Sequence, residues 1–515
     1  MRDRSGFRRG PGGARACMRR LALTLLCIAA LPSGVRGDDA PITTKNPSPL
    51  ARDAEGRAYR VERVAKAGAK YEWIDAHTVR YYPFARYEVV REDAEYLYVK
   101  QYVAGVQKNV APPLPPALHV DLASSRKFGL RDFGTGLPHA GQWRDGFALA
   151  DIDGDGHLDI AFASARKSLT KPVVLRGDGQ GSWTRWPMRL PELPYDYGAA
   201  AVADFDADGR ADLAFGMHLR GLTVLVADGN AGFTRHDRGL PLGAPGSSTP
   251  ALFSTHAIAV LDWNGDGRPD LLALSERLLG HRDRFGNVAV FVGRRGGWTR
   301  ATLPNGKLPV GNAALAVLAG TRSDLAIVVG DDANGGIATY EFAAGRVVER
   351  ALDAVPAGAI VRAAAAADAS TVAVAYQVRT AKGWQTAVDV FRRSGDGYER
   401  RPLSAEQDLA IGALAFGHLS SPRSLDLAAL RSDGALLLFA ADGNGSWTRD
   451  LVEAAPSWRS GCAGHALRLR DLDGDGRDEI VAAFSGEPNA MMMRRDCIRG
   501  GGIEAWRVVD SNDQG

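Results

Sequence analysis

A nine-residue acidic motif occurs four times in the chain and constrains its fold more than any other feature. The copies are Asp151–Asp159, Asp204–Asp212, Asp262–Asp270 and Asp471–Glu479. Each has an acidic or amide side chain at positions 1, 3, 5 and 9 and Gly at position 6, and a short apolar run follows at once. Apolar runs after Asp/Gly-rich segments are typical of strands that follow tight turns. We therefore expect each copy to form the turn of a β-hairpin.

The spacing of these side chains predicts a site for a hard cation. Several carboxylates on one turn repel one another unless a cation lies among them, and Ca²⁺ accepts about six to eight oxygen ligands in irregular geometry. Alternate side chains and the backbone carbonyl of position 7 supply such oxygens. We expect up to four Ca²⁺ ions, and the predicted ligand residues are Asp151, Asp153, Asp155, His157, Asp159, Asp204, Asp206, Asp208, Arg210, Asp212, Asp262, Asn264, Asp266, Arg268, Asp270, Asp471, Asp473, Asp475, Arg477 and Glu479.

The motif has two other interpretations. An EF-hand is rejected because its loop has twelve residues between two helices, whereas strand-like segments flank these loops. The loops could also be turns without an ion, because Asp and Gly favour turns in any case.

The pattern Asp-x-Asp/Asn-x-Asp-Gly-x-x-Asp between two short strands resembles the calcium loop of the FG-GAP (VCBS) repeats. These repeats are known from the integrin alpha-chain β-propeller and from many secreted bacterial proteins. The resemblance covers roughly residues 126–510, and Glu479 at position 9 of the last loop departs from the pattern. It implies a β-propeller in which bound Ca²⁺ is structural and the opposite face recognises a ligand.

The repeat spacing predicts seven blades of four strands each. The first three loops begin 53 and 58 residues apart, and the fourth begins 209 residues later, which leaves room for three blades without a complete loop. The last repeat lacks a fourth strand, and residues 126–138 resemble an orphan fourth strand because Gly136-Leu-Pro138 matches Gly239-Leu-Pro241. We expect this segment to complete the last blade. The fold class expected is an all-β seven-bladed β-propeller with a small N-terminal β-rich segment.

The N-terminal residues predict export. Residues 1–37 combine Arg19-Arg20, an apolar run from Leu21 to Leu31 and small residues near Gly37, as in a signal peptide. The run is too short to span a bilayer, which needs about 20 residues. Residues 38–125 then read as a β-rich accessory segment with a proline-rich linker, 126–510 as the propeller and 511–515 as a tail. We expect a periplasmic or extracellular protein without a membrane span.

Charge and cysteine content agree with that interpretation. The chain has 63 basic and 60 acidic residues, and removal of the eight Arg and one Asp of residues 1–37 leaves 55 and 59, a net charge of −4. This balance excludes a global nucleic-acid-binding surface. Cys462 and Cys497 remain after cleavage and flank one repeat, so a disulfide is expected in an oxidising compartment.

Residues on the face opposite the acidic loops are the candidates for binding a glycan or a protein. The cations and aromatics expected there are Tyr195, Tyr197, His218, Arg220, His281, Arg282, Arg284, Arg494 and Arg495. His256 and His465 each lie six residues before a loop, at the place that Asp145 and Gly198 hold in blades 1 and 2, and we expect these positions around the channel mouth.

The alternative function is a carbohydrate-active enzyme of the polysaccharide lyase type on the same fold. Its base and charge neutraliser would come from Tyr195, His218, His281 and Arg284. No nucleophile elbow, phosphate-binding Gly loop, HExxH or CxxC pair occurs in the sequence. A non-catalytic binding module is therefore the preferred prediction.

Overall fold

The computed structural model describes residues 51–53, 58–66, 71–73, 78–81, 85–102, 117–124, 128–166, 171–243, 253–275, 288–303, 313–316, 325–331, 336–407, 409–442, 446–452, 461–486, 497 and 499–510. The expected signal peptide, the proline-rich linker at 111–116 and the tail at 511–515 lie outside these residues. The chain divides into two compact units, Met1–Pro113 and Leu114–Gly515.

The first unit is a six-stranded antiparallel sheet with the strand order β1-β2-β6-β5-β4-β3. Its strands are β1 (Ala51–Arg52), β2 (Ala58–Ala65), β3 (Tyr71–Trp73), β4 (Thr78–Tyr81), β5 (Ala85–Glu92) and β6 (Tyr96–Tyr102). Its core includes Val64, Val79, Leu97 and Val99, all buried. The predicted N-terminal β-rich segment is therefore confirmed.

The second unit contains seven four-stranded antiparallel sheets, which confirms the predicted seven-bladed all-β fold. We number the sheets as blades 1 to 7. Their strands, in chain order, are β7 (Phe128–Asp132); in blade 1, β8 (Ala148–Ala150), β9 (Asp159–Phe162), β10 (Val173–Gly177) and β11 (Trp183–Arg185); in blade 2, β12 (Ala200–Ala203), β13 (Asp212–Met217), β14 (Gly221–Ala227) and β15 (Phe233–Arg235); in blade 3, β16 (Thr255–Leu261), β17 (Asp270–Ser275), β18 (Val288–Arg294) and β19 (Gly297–Arg300); in blade 4, β20 (Ala313–Ala316), β21 (Ala326–Asp331), β22 (Ile337–Ala343) and β23 (Arg346–Ala351); in blade 5, β24 (Ile360–Asp368), β25 (Thr371–Thr380), β26 (Gly383–Ser394) and β27 (Gly397–Gln407); in blade 6, β28 (Ile411–Gly417), β29 (Asp426–Arg431), β30 (Leu436–Ala441) and β31 (Trp447–Val452); and in blade 7, β32 (Ala463–Arg470), β33 (Glu479–Ser485) and β34 (Gly501–Asp510).

The hydrophobic core lies between successive blades. One cluster combines Leu222 and Val224 of blade 2 with Leu271, Phe291 and Trp298 of blade 3. The second strand of blade 2 is buried along its whole length because neighbouring blades cover both of its faces. Strands covered on both faces read as continuous apolar runs, which is why the sequence shows such runs directly after each acidic motif.

Strand β7 occupies the fourth position of blade 7. It pairs antiparallel with β34, with Leu130 opposite Val508. The backbone carbonyl of Phe133 then accepts a 3.0 Å hydrogen bond from Trp183 Nε1 of blade 1. The chain segment that precedes blade 1 therefore covers the edge of β34 and joins the last blade to the first.

Residues 117–124 belong to the second unit, although the sequence placed them with the accessory segment. The Leu118 amide donates to Gln385 Oε1 at 2.8 Å, and Ser124 forms a parallel bridge with Arg449. Leu118 and Leu122 also pack against the cores beside blades 5 and 6. Among the described residues, no helix has the length and apolar character needed to cross a membrane.

Candidate functional site

The four acidic motifs form the turns between the first and second strands of blades 1, 2, 3 and 7. The carboxylate of position 1 organises each turn: Asp151 accepts hydrogen bonds from the Gly154 amide at 2.8 Å and the Gly156 amide at 3.0 Å. These glycines have φ angles of 80° and 90°, a left-handed region that strains other residues. Position 1 accepts equivalent bonds at Asp204, Asp262 and Asp471. The protein's own hydrogen bonds therefore shape the loop.

The carboxylate of position 9 is buried under each loop and ties the loop to its blade. Asp159 accepts from the Ile152 amide at 2.9 Å and from the Gly177 amide of the third strand at 3.1 Å. Asp212 and Asp270 make the same pair of bonds. Burial raises the pKa of these three carboxyl groups to about 6 and that of Glu479 to about 7, because a low-dielectric environment disfavours the charged form.

Carboxylates of positions 1, 3 and 9 converge in three loops. In each, one oxygen per side chain lies within 4.8 Å of the others; the groups are Asp151, Asp153 and Asp159; Asp204, Asp206 and Asp212; and Asp471, Asp473 and Glu479. In blade 3, Asn264 takes position 3, so an amide stands with two carboxylates. Three converging carboxylates, one of them desolvated, fit a hard divalent cation such as Ca²⁺. An ion there would favour the charged form of position 9 and oppose the effect of burial.

Positions 5 and 7 have a different role in the described structure. The position-5 carboxylates lie outside the three-carboxylate groups and accept hydrogen bonds from the position-7 amides. These bonds join Asp155 to His157, Asp208 to Arg210, Asp266 to Arg268 and Asp475 to Arg477. That positions 5 and 7 also contribute ligand oxygens stays a prediction.

An arginine from the third strand reaches the acidic loop in blades 1 and 7. Arg176 of β10 forms an ion pair with Asp153, and Arg507 of β34 forms one with Asp473. The Nε atom of Arg507 also lies 3.4 Å from Oε1 of Glu479. A fixed positive charge therefore stands beside the carboxylates in these two blades.

Blades 2 and 3 lack this arginine. Arg176 directly follows the residue that pairs with Ile160, and Arg507 directly follows the residue that pairs with Ile480. The same register places Val226 at this position in blade 2 and Val292 in blade 3. Arg210, at position 7 of the blade 2 loop, forms an ion pair with Asp208 at position 5. Sequence reasoning missed Arg176 and Arg507, although the alignment of third strands would have placed both beside a loop.

Cys462 and Cys497 form the expected disulfide, with Cα atoms 4.7 Å apart. Both residues are buried in the core beside blade 7. The bond connects the start of β32 to the segment that leads into β34.

A cluster of cations and aromatics lies at the opposite end of blades 1 and 2. The ring of His218 stacks on that of Tyr197 with 4.6 Å between centroids. The guanidinium groups of Arg144 and Arg166 lie 5.7 and 5.2 Å from the centre of the Tyr197 ring, within cation–π range. Sequence reasoning named Tyr197 and His218 but missed the two arginines, which precede the first strand and follow the second strand of blade 1.

The other residues predicted for the ligand face make no stacking or cation–π contact with Tyr197 among the described residues. Arg220 lies in the same turn as His218. Burial raises the pKa of the Asp196 carboxyl, and the nearby charges of Arg220 and Arg166 oppose that rise. The Tyr195 hydroxyl donates to the Pro191 carbonyl at 2.9 Å, and burial raises the pKa of Tyr195 above its usual range. The other predicted ligand-face residues, His281, Arg282, Arg284, Arg494 and Arg495, lie outside the described residues.

The structure brings together three of the four positions that the sequence places around the channel mouth. Asp145, His256 and His465 line one cavity at the centre of the ring. Gly198, at the equivalent place in blade 2, has a φ of 155°, and a Cβ atom there would lie 2.0 Å from the Gly216 carbonyl oxygen.

Comparison with known proteins identifies the repeat. Residues 151–215 match the family described as FG-GAP-like repeat, which confirms the predicted repeat type. No curated protein sequence matches the chain. Two of the solved structures that match the chain are the following. The N-terminal domain of Nup159 has a TM-score of 0.43 and 9% identity, and the match covers 77% of this chain and 100% of that chain. A mutant of the Aleuria aurantia lectin AAL, in complex with Fucalpha1-6GlcNAc, has a TM-score of 0.36 and 14% identity, with 60% and 94% covered.

Proposed function

We propose that this FG-GAP-repeat protein is an exported, Ca²⁺-stabilised β-propeller that acts as a non-catalytic binding module for a glycan or protein partner. One observation carries the proposal: in blades 1 and 2, converging carboxylates occupy one end of the strands, and a cluster of Arg144, Arg166, Tyr197 and His218 occupies the other.

Ca²⁺ is proposed as the ion on the chemistry of the donors. All donors in the loops are oxygens, and the hydrogen bonds of positions 1 and 9 hold them in an irregular arrangement. Ca²⁺ tolerates such geometry, whereas Mg²⁺ demands near-ideal octahedral coordination. The ion would fix the turns without taking part in any reaction.

The opposite face supplies the chemistry of recognition. The partly exposed His218 ring, which stacks on the buried Tyr197 ring, offers an aromatic surface, and guanidinium groups form paired hydrogen bonds with carboxylates. A partner that presents negative charge beside an apolar surface satisfies both features. Acidic glycans and acidic protein patches have this character.

Export is supported by two independent features. The disulfide between Cys462 and Cys497 suits an oxidising compartment, and the apolar run from Leu21 to Leu31 suits a signal peptide. The proposed location is the periplasm or the cell exterior.

A lyase is the less favoured function. The Tyr195 hydroxyl donates to a backbone carbonyl, and its pKa is raised by burial, so Tyr195 would be a poor base at neutral pH. We therefore expect no unsaturated product when the protein is incubated with uronate-rich polysaccharides.

The proposed function is tested by binding to panels of acidic polysaccharides, neutral polysaccharides and acidic proteins, with wild-type protein and His218→Ala. Trp73→Ala is the control, since Trp73 is an exposed aromatic in the other compact unit. We expect at least one ligand that His218→Ala weakens and Trp73→Ala does not. Equal binding by both variants would overturn the assigned face.

A further inference from the structure

A cavity of ≈ 250 Å³ lies at the centre of the propeller, and all seven blades contribute to its wall. Five side chains with charged or titratable groups line it: Asp145, His256, Arg362, His465 and Arg468. The rest of the wall is Gly, Ala, Leu and Ile. Ligand pockets typically measure roughly 300–1,000 Å³. The cavity therefore suits a compact molecule of about the size of a sugar ring.

A repeated backbone irregularity places residues into this cavity. In blades 3, 5, 6 and 7 the pairing of the first strand with the second skips one residue; these residues are His256, Arg362, Gly412 and His465. Each of the four lines the cavity. A β-bulge interrupts the alternation of a strand and redirects a side chain. The same device in four blades builds a ring of positions that face the channel.

In blade 1, a strained backbone conformation and not a bulge accompanies the residue that lines the cavity. Asp145, which holds the equivalent place six residues before its acidic loop, has a φ of 62°. This conformation is costly for a residue other than Gly and concentrates at functional sites.

Arg468 brings a positive charge to the cavity and forms no ion pair with a carboxylate among the described residues. Its Nη1 atom donates to the Leu467 carbonyl at 2.8 Å, and its guanidinium lies 5.5 Å from the centre of the Phe147 ring. A Cβ atom on Gly146 would lie 3.5 Å from its Nη2 atom, so the side chain reaches blade 1. Charges within proteins are normally paired. An anion in the cavity would supply the missing partner.

The neighbouring groups give the cavity a positive potential. Burial and the nearby charges of Arg144 and Arg166 lower the pKa of His465 to about 3, so this imidazole is neutral at pH 7. Burial lowers the pKa of Arg468 to about 10, which leaves it charged. The lining thus carries two arginine charges against one Asp, and the neutral His465 adds no charge. A neutral histidine can still donate a hydrogen bond to an oxygen anion.

We propose that the central channel is a binding site for a compact carboxylate anion of the size of a uronate, which Arg468 and Arg362 hold by charge-assisted hydrogen bonds. This inference rests on the proposed function, because the ligand enters from the face that carries Tyr197. It identifies the carboxylate of an acidic sugar as the group that the module recognises.

The test is isothermal titration of the folded, Ca²⁺-loaded protein with D-glucuronate, with D-glucose and inorganic phosphate as the comparison ligands. We expect binding of glucuronate, no binding of glucose and weaker binding of phosphate. Arg468→Met should weaken glucuronate binding by roughly tenfold or more, the loss expected for one charged hydrogen bond. Arg346→Met, which removes the same charge from an exposed outer strand, should leave binding unchanged.

A second measurement uses the wild-type protein, so that the result does not depend on whether the variant folds. Phenylglyoxal modifies accessible arginines, and peptide mass spectrometry reports the rate at Arg468. Glucuronate should slow this modification, whereas glucose should not.

Absence of glucuronate binding, or no protection of Arg468, would overturn the channel site. Equal affinity for phosphate would overturn the assignment of a carboxylate. Binding of an acidic polysaccharide that depends on His218 but not on Arg468 would refute this inference while the proposed function stands.

Discussion

Removal of the disulfide should destabilise the core between blades 6 and 7, in which both cysteines are buried. The bond joins residues 35 positions apart, and Cys462 is fully buried. The entropy of closing a 35-residue loop corresponds to about 4 kcal/mol of stability at 25 °C. The variant Cys462→Ser/Cys497→Ser should therefore lose about 4 kcal/mol from the free energy of unfolding. The double substitution avoids leaving one free thiol.

Urea denaturation followed by tryptophan fluorescence measures this loss. Trp506 of β34 is buried in the same core as both cysteines, so it reports on blade 7. The reduced wild-type protein is the matched control and should unfold at the same urea concentration as the double variant. The slope of free energy against urea concentration should barely change if the native surface is preserved.

Two results would refute the reasoning. A loss below about 1 kcal/mol would mean that the bond does not restrict the unfolded chain in the way that loop closure requires. Two titratable thiols in the native exported protein would mean that the bond does not form.

Three further predictions concern individual sites. Gly136→Ala should destabilise the protein more than Gly154→Ala in urea denaturation: both have positive φ, but a Cβ at 136 would lie 2.2 Å from the Trp183 carbonyl oxygen, while that at 154 meets nothing within 4 Å. Equal losses would contradict the close contact. Arg400→Met should cost about 3–5 kcal/mol by the same assay, because it leaves the buried carboxylate of Asp389 without its 2.7 Å ion pair; a loss below about 1 kcal/mol would show that the pair is not needed. Finally, Ca²⁺ should bind more weakly at pH 5 than at pH 7.5 in titration calorimetry, because the position-9 carboxyls, with pKa values raised to about 6 to 7, must lose a proton first; pH-independent affinity would exclude position 9 as a ligand.

The same pKa shifts set the sign of the pH dependence without an ion. A carboxyl whose pKa is higher in the folded state than in the unfolded state binds its proton more tightly when folded. Between about pH 4 and 6 the unfolded chain loses these protons first, so the calcium-free protein should become less stable as the pH rises through this window. Bound Ca²⁺ should reverse the trend, since it stabilises the ionised carboxylates.

The sequence was sufficient to predict the parts of the fold that depend on local patterns. The acidic loops, the apolar runs after them and the number of blades all follow from spacing. The similarity of Gly136-Leu-Pro138 to Gly239-Leu-Pro241 also reflects shared geometry, because Trp183 and Trp298 donate the same indole hydrogen bond to the segment before each motif.

Other features depend on contacts between distant residues and left no local signal. The bulges at His256, Arg362 and His465 appear only when the register of two strands is known. Blade 5 replaces the nine-residue loop by a tight turn in which Asp368 faces Thr371, so no acidic motif marks it. Its buried ion pair between Arg400 and Asp389 joins different strands and shows no sequence spacing of its own.

The central claim is that Ca²⁺ in the acidic loops stabilises the propeller, and differential scanning calorimetry of residues 38–515 tests it most directly. The protein is melted in excess EGTA, with Ca²⁺ restored and with Mg²⁺ in its place. Asp206→Ala is the informative variant: its carboxylate belongs to the blade 2 group but makes no hydrogen bond to the loop among the described residues, so its removal deletes a ligand alone.

We predict a rise in melting temperature that is specific for Ca²⁺ and smaller in Asp206→Ala. A ligand at about one hundred times its dissociation constant adds about 2.7 kcal/mol per site. Identical melts in EGTA and in Ca²⁺ would contradict the account, because the acidic loops would then be turns and nothing more.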